Sequence, residues 1–91
     1  MSKKIKKIKL EINQDGHLSD LEKGQSCIVL ALHNQDPALR RRLLDMGITK
    51  GVEITVEGYA PLGDPVNVRL RDYNLAIRLL DMSQIDIRRI S

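Results

Sequence analysis

A small, mostly-β barrel or sandwich with one inserted α-helix is the fold class that the sequence predicts, from three observations. The chain has 91 residues, which is the size of one domain. Several short segments alternate apolar and polar residues, as is typical of strands with one buried face. A single segment, after Asp36, has apolar residues at clear helical spacing. A mostly antiparallel barrel of about five strands with one inserted helix fits this order.

The chain divides into a basic N-terminal arm over residues 1–17 and a single domain over residues 18–91. Five of the first nine residues are lysines, and Leu10 and Ile12 alternate with polar neighbours, which allows an edge strand in the arm. Such an arm is compatible with a solvated tail and with attraction to anionic lipid. Beyond residue 9, ten basic residues face 12 acidic ones. Because a nucleic-acid-binding domain normally has its positive charge on the folded body, nucleic acid is not expected as a partner.

Two elements are predicted before the helix. Residues 18–24 suit a turn or a single helical turn that ends at Gly24. Residues 27–32 suit a strand with apolar residues on both faces. Because an apolar outer face has to be covered, we expect either the helix or a second copy of the chain to lie on it.

The predicted helix has clear signals at both ends. Asp36 and Pro37 suit the N-cap and the first helical position, and Gly47 suits the left-handed position just after the last turn. Apolar residues at positions i, i+4 and i+7 form one stripe that is expected to pack on the strands, namely Leu39, Leu43 and Met46.

The most regular alternation of apolar and polar residues occurs in residues 52–57 and 66–71. Both segments are predicted strands. Their inward faces match only if the residue numbers of each cross-strand pair add up to an even number. This parity sets Glu53 opposite Arg69 or Arg71, where a cross-strand ion pair would add about 0.2–1 kcal/mol.

The remaining elements are shorter. Residues 58–65 contain two prolines and two glycines, which predict a shaped loop rather than a two-residue hairpin. A turn over residues 72–74 leads into a third alternating strand over residues 75–79. Residues 81–84 are predicted to form a short capped turn of the 3₁₀ type, and residues 85–90 a last strand.

No motif for catalysis, phosphate binding or metal binding is recognised. Cys27, His17 and His33 are the only cysteine and histidine residues, and their spacing is not that of a zinc site. We expect Cys27 to be packed in a strand and both histidines to be exposed in loops. The chain has no G-x-x-x-x-G-K-[ST] and no G-x-S-x-G motif. We therefore expect no enzyme activity, no cofactor and no metal ion of its own.

Targeting signals are not recognised either. The sequence has a single cysteine and no apolar run of the length found in signal peptides or membrane spans. A cytoplasmic location is the resulting expectation.

The run Arg40-Arg41-Arg42 is compatible with three interpretations. The run inserts an arginine into the active site of an NTPase, contacts nucleic acid, or simply forms a solvent-exposed face of the helix. Leu44 lies off the apolar stripe, between Arg40 and Arg41 on the helix surface. If this side of the helix is uncovered, it forms an apolar spot rimmed by arginine, a composition common in binding surfaces.

Four segments together resemble the FeoA family in order and separation: R-R-L-L-D-M-G-I over residues 41–48, T-x-G over residues 49–51, A-P-L-G-D-P-V over residues 60–66, and L-A-I-R over residues 75–78. The resemblance covers roughly residues 18–87, and the lysine-rich arm lies outside it. It implies an SH3-like β-barrel and a cytosolic accessory of FeoB, a ferrous iron transporter in the membrane with a cytosolic G-protein domain.

The leading hypothesis is thus a binding module that regulates or assembles this transporter and that reaches the membrane only through its partner or its arm. The contact surface expected from this sequence has two parts, one on the helix and one in the loop: Arg40, Arg41 and Leu44, and Pro61, Leu62, Gly63 and Asp64. Two alternatives remain. In the first, the chain acts with an iron-dependent transcriptional regulator, because FeoA-like domains also occur in such repressors. In the second, the chain activates a GTPase by supplying an arginine. The oligomeric state is left open.

Overall fold

Six antiparallel strands form one sheet in this computed structural model, which describes residues 9–33 and 36–91. The strands are β1 Asp15–His17, β2 Ser26–Leu32, β3 Glu53–Tyr59, β4 Val66–Leu70, β5 Tyr73–Ile77 and β6 Ile85–Arg89. Across the sheet their order is β1-β6-β2-β3-β4-β5. A 3₁₀ turn spans Leu18–Asp20, and the helices are α1 Pro37–Asp45 and α2 Leu79–Met82. The predicted mostly-β class with an inserted helix is confirmed, with one strand more than expected.

The additional strand, β1, lies in the segment that the sequence assigned to the arm. Gly16 of β1 pairs with Ile87 of β6, and Leu10 is only 5% exposed. A Cβ atom on Gly16 would lie 2.7 Å from Leu10 Cδ1, so a larger residue there would have to displace the end of the leucine side chain. The folded unit therefore includes Leu10 and does not begin at residue 18. Four of the five lysines of the predicted arm fall in residues 1–8, outside the described residues.

The core consists of aliphatic side chains, as the absence of Trp and Phe suggests. Ile54 and Ile85 from the sheet are fully buried, and Leu43 of α1 joins them. Leu39 and Met46 are half-buried against the same core. The apolar stripe of α1 therefore packs on the strands as predicted.

The two faces of β2 are covered to different extents. Cys27 and Val29 on one face are fully buried, whereas most residues of the alternate set are half-buried. At the end of the strand, the Leu32 carbonyl accepts a hydrogen bond of 3.3 Å from Arg40 Nη1 of α1. The inserted helix thus lies at the C-terminal end of β2.

From Ile54 to Val56, the register of β3 and β4 has the predicted even sum. Ile54 lies opposite Leu70, and Arg69 lies opposite Thr55 rather than Glu53. A register shift follows Val56, and the guanidinium of Arg69 forms its ion pair with Glu57, at 3.2 Å between Nε and Oε2. Of the two predicted positions, Glu53 opposite Arg69 is therefore wrong, whereas Glu53 opposite Arg71 continues the register of Ile54 and Leu70. The bulge brings Glu57 within reach of Arg69 instead.

The turn after β4 comes earlier than the sequence predicted. β5 begins at Tyr73, directly opposite Leu70, so the turn consists of Arg71 and Asp72. Arg71 adopts a left-handed φ of 52° there. The strand predicted over residues 75–79 is shifted accordingly and ends at Ile77.

Residues 79–82 form the short helix α2, where the sequence predicted the end of a strand and a 3₁₀ turn. The N–H of Leu79 donates a hydrogen bond of 2.9 Å to Asp64 Oδ1. A loop fifteen positions away thus supplies the cap that starts this helix, which local sequence patterns do not reveal. Within the described ranges, no helix is both long and apolar enough to cross a membrane.

Candidate partner-binding surface

Helix α1 presents Leu44 and two arginines on its outer side. The helix begins where Asp36 Oδ1 accepts the Ala38 N–H at 3.0 Å. Because consecutive helical residues are turned by about 100°, Leu44 points away from the core that the neighbouring Leu43 enters. Leu44 is 40% exposed, whereas Leu43 is fully buried.

A shallow groove of about 370 Å³ follows this side of the helix. We call it the outer groove of α1, and it is lined by Pro37, Arg40, Arg41, Leu44 and Asp45. The structure therefore brings together the three residues that the sequence singled out on the helix. Their arrangement is an apolar side chain flanked by two guanidinium groups, with a carboxylate at one end.

The three consecutive arginines have different environments. Arg40 donates to the Leu32 carbonyl, and Arg42 Nη2 lies 3.7 Å from Asp81 Oδ2 of α2. Among the residues that the structure describes, the Arg41 guanidinium has neither an ion-pair nor a hydrogen-bond partner. Arg41 is thus the arginine of the run with its hydrogen-bonding groups available to another molecule.

The loop between β3 and β4 holds an exposed leucine at its tip. The Gly63 N–H donates to the Ala60 carbonyl at 2.7 Å, and Gly63 has a left-handed φ of 92°. Pro61 is exposed next to this turn, and Leu62 is 96% exposed. The two residues therefore project into solvent from a turn that internal hydrogen bonds hold in shape.

Asp64 has a structural role in this loop, since its carboxylate receives the Leu79 N–H of α2. The four loop residues proposed for binding are thus tied to α2. The outer groove of α1 is lined by helix residues alone. The two halves of the expected surface are therefore separate features, and their joint use stays a prediction.

A second groove, of about 400 Å³, lies between the two helices. We call it the α1–α2 groove, and it is lined by Asp36, Ala38, Leu39, Arg42, Arg78, Leu80, Asp81 and Gln84. Leu80 is 75% exposed. Leu80 was not among the predicted binding residues, because it falls between the predicted strand over residues 75–79 and the predicted turn over residues 81–84. The helix-favouring run L-L-D-M over residues 79–82 is the signal that could have identified it.

The cysteine lies in a strand and both histidines are exposed, as predicted, but His17 belongs to strand β1 and only His33 lies in a loop. Cys27 is fully buried, and burial raises the pKa of its thiol to about 12, which keeps it protonated and unreactive. His17 and His33 are exposed on either side of Asp86, with their nearest nitrogens 3.4 Å and 3.8 Å from its carboxylate. Across residues 9–33 and 36–91, no set of three His, Cys, Asp or Glu side chains is placed to hold a metal ion.

The fold and these surface features define a small β-sheet domain whose exposed side chains suit contacts with another protein. The FeoA domain model matches residues 16–89, and the chain belongs to the FeoA family. The resemblance seen in the sequence motifs is thereby confirmed.

Relatives with known sequences or structures agree with this assignment. The Fe(2+) transport protein A/Fe(2+) transporter FeoB fusion protein of Porphyromonas gingivalis is 38% identical over 74 residues, which are 81% of this chain and 9% of that protein. The FeoA-like protein of Clostridium acetobutylicum has a TM-score of 0.74 at 35% identity, covering 81% of this chain and 85% of that chain. The zinc complex of Stenotrophomonas maltophilia FeoA, an SH3 domain protein, has a TM-score of 0.69 at 26% identity, covering 78% and 87%. The SH3-like architecture is thus shared.

Proposed function

We propose that this chain is a cytoplasmic accessory protein of ferrous iron uptake that binds the cytosolic part of an FeoB-type transporter. The observation that carries this proposal is the Porphyromonas gingivalis relative, in which a segment similar to this chain is fused to FeoB. A covalent link keeps two domains at a high effective concentration. Fusion therefore favours domains that work in contact, which is the relation proposed for this chain and the transporter.

The outer groove of α1 is the surface on which we place the first contact. Leu44 is a large apolar side chain left 40% exposed, and Arg41 has no partner among the described residues. Arginine with an apolar neighbour is enriched in the energetically important parts of interfaces. Burial of Leu44 against a partner would remove apolar surface from water, while Arg41 would find a carboxylate or carbonyl acceptor.

Docking, rather than chemistry, is the mechanism that this surface supports. The protein acts by differential affinity: it shifts the transporter toward whichever state it binds more tightly. If the G-protein domain changes shape with its nucleotide, preference for one nucleotide state makes the chain a regulator. Equal affinity for both states makes it an assembly factor, because such a ligand shifts no equilibrium.

A charge placed in the outer groove tests this surface. Leu44→Glu is expected to weaken binding to the cytosolic G-protein domain by about ten-fold or more, since it buries a carboxylate where an apolar side chain fitted. Isothermal titration calorimetry on the full chain measures this, with Ile12→Glu as the matched control at an exposed residue outside the groove. A collapse of the unfolding free energy in Leu44→Glu, or unchanged binding, would contradict the assignment.

Activation of the transporter's GTPase is a second candidate, favoured by the unpartnered guanidinium of Arg41. An arginine that stabilises the transferring phosphoryl group raises hydrolysis by about three to five orders of magnitude. Hydrolysis stimulated by the chain and abolished by Arg41→Ala would support this role. The same rate with and without the chain would remove it while leaving docking intact.

A further inference from the structure

One exposed apolar side chain lines the α1–α2 groove, and a second lies on the loop that is hydrogen-bonded to α2. Leu80 lines the groove and is 75% exposed, and Leu62 on the neighbouring loop is 96% exposed. The Asp64 carboxylate holds that loop to the first residue of α2, one position before Leu80. Two leucines exposed to this extent on adjoining, mutually fixed segments form a surface that gains stability when another molecule covers it.

The groove walls are held together before any partner arrives. Arg42 Nη2 of α1 and Asp81 Oδ2 of α2 lie 3.7 Å apart, and the Asp81 side chain is only 16% exposed. This ion pair joins the two helices across the groove floor. A pre-formed surface loses less conformational entropy on binding than one that has to be ordered.

Three of the four charged side chains that line the groove have an ion-pair or hydrogen-bond partner. Asp36 accepts the Ala38 N–H, and Asp81 is paired with Arg42. Arg78, which directly precedes α2, is exposed and has no ion-pair or hydrogen-bond partner in the described part of the chain. The group that lacks a partner is therefore a cation, and its complement is a carboxylate.

We propose that the α1–α2 groove is a second docking surface, which takes an acidic amphipathic segment of the transporter's cytosolic part. An apolar side chain of that segment covers Leu80 and Leu62, while one of its carboxylates pairs with Arg78. The inference rests on the proposed function for the identity of the partner. It adds a second face of the same helix α1, so the chain would hold the transporter on both sides of that helix.

Two variants test the groove in calorimetric titrations of the full chain with the cytosolic G-protein domain. Leu80→Ser and Arg78→Glu are each expected to weaken binding by about ten-fold or more, the size of effect found at interface anchors. Ile12→Ser and Lys50→Glu are the matched controls, since both residues are exposed and line neither groove. The controls are expected to bind within about two-fold of the original chain. Added salt should weaken binding of the original chain more than that of Arg78→Glu.

The outcomes separate the two proposals. Binding by the original chain with no loss in Leu80→Ser and Arg78→Glu beyond that of the controls overturns the groove inference and leaves the proposed function standing. Absence of binding by the original chain overturns both. Vesicles of phosphatidylglycerol and phosphatidylcholine give the third outcome. Vesicle binding that depends on Arg78 and Leu80, with unchanged affinity for the G-protein domain, would assign the groove to a lipid surface and overturn the inference.

Discussion

Two constraints act on a single residue at Gly47, which follows α1. Its φ of 93° is left-handed, and a Cβ atom there would lie 2.5 Å from the Tyr73 hydroxyl oxygen. That hydroxyl donates to the Met46 carbonyl, so it is fixed in place beside the glycine. The end of α1 and the start of β5 therefore meet at a position that only glycine fits without strain.

Gly47→Ala is expected to lower the free energy of unfolding by about 2–4 kcal/mol, because left-handed strain and overpacking each cost about 1–3 kcal/mol. Gly24→Ala is the matched control. Gly24 has a φ of 89° but no atom within 4 Å of an added Cβ, so only the backbone cost applies. Urea denaturation measures both variants. Equal losses at the two sites would show that contact with Tyr73 contributes nothing.

The ion pair of Asp15 and Arg88 gives a pH dependence with a defined sign. The Arg88 guanidinium donates to the carboxylate at 2.7 Å and holds the pKa of Asp15 below its ordinary value of 3.8. A lowered pKa in the folded state adds stability at pH values above the ordinary value, and this contribution is lost as the pH falls through the lowered one. Both side chains are about half exposed, so the effect is small and decreases with salt.

Asp15→Asn is therefore expected to be less stable than the original chain near neutral pH and to match it in acid. The difference between their unfolding free energies is measured by urea denaturation from neutral pH to about pH 2, below the ordinary range of aspartate. A difference that persists or grows at low pH would contradict the proposed electrostatic origin.

At the scale of elements, the loop between β3 and β4 and helix α2 stabilise each other through Asp64. Asp64→Ala removes the acceptor of the Leu79 N–H and is expected to cost about 1 kcal/mol, as for other helix caps. Asp72→Ala, in the exposed turn before β5, is the control and should be nearly neutral. Hydrogen exchange at Leu79 should become faster in Asp64→Ala alone. Unchanged exchange there would mean that α2 starts without this cap.

Elements with local signals could be predicted from the sequence, and elements fixed by distant contacts could not. The N-cap, apolar stripe and terminal glycine of α1 lie within a dozen residues, and the helix was found with nearly correct ends. β1 has three residues and no distinctive pattern, and it exists because it pairs with β6 at the other end of the chain. The bulge after Val56 also depends on the partner strand, so the partner of Arg69 was missed.

The residues of the candidate surface divide in the same way, into those placed by local signals and those placed by distant contacts. Exposure of Leu44 could be predicted because its direction is fixed by the helical repeat relative to Leu43. Leu80 and Arg78 were not recognised, since the run L-L-D-M is a weak local signal for a helix and the cap that starts α2 comes from residue 64. The sequence also does not show which of the three consecutive arginines has no partner among the described residues, namely Arg41. Their individual partners come from β2 and α2.

For the whole molecule, the sheet serves as a scaffold for one helix with two usable sides. The buried stripe of α1 fixes its rotation on the core, which sets the outer groove on one side and the α1–α2 groove on the other. Membership of the FeoA family and the fusion to FeoB in a relative support the proposal that both surfaces bind the same partner. Recognition of a partner by the shape and charge of surfaces that the sheet holds in place links the fold to the proposed function.

The most direct test of this account is a calorimetric titration of the purified chain into the cytosolic G-protein domain of an FeoB transporter from the same organism, once with GDP and once with a non-hydrolysable GTP analogue. Saturable binding is expected in at least one nucleotide state, and Leu44→Glu is expected to weaken it by about ten-fold or more. Absence of binding in both states would contradict this account.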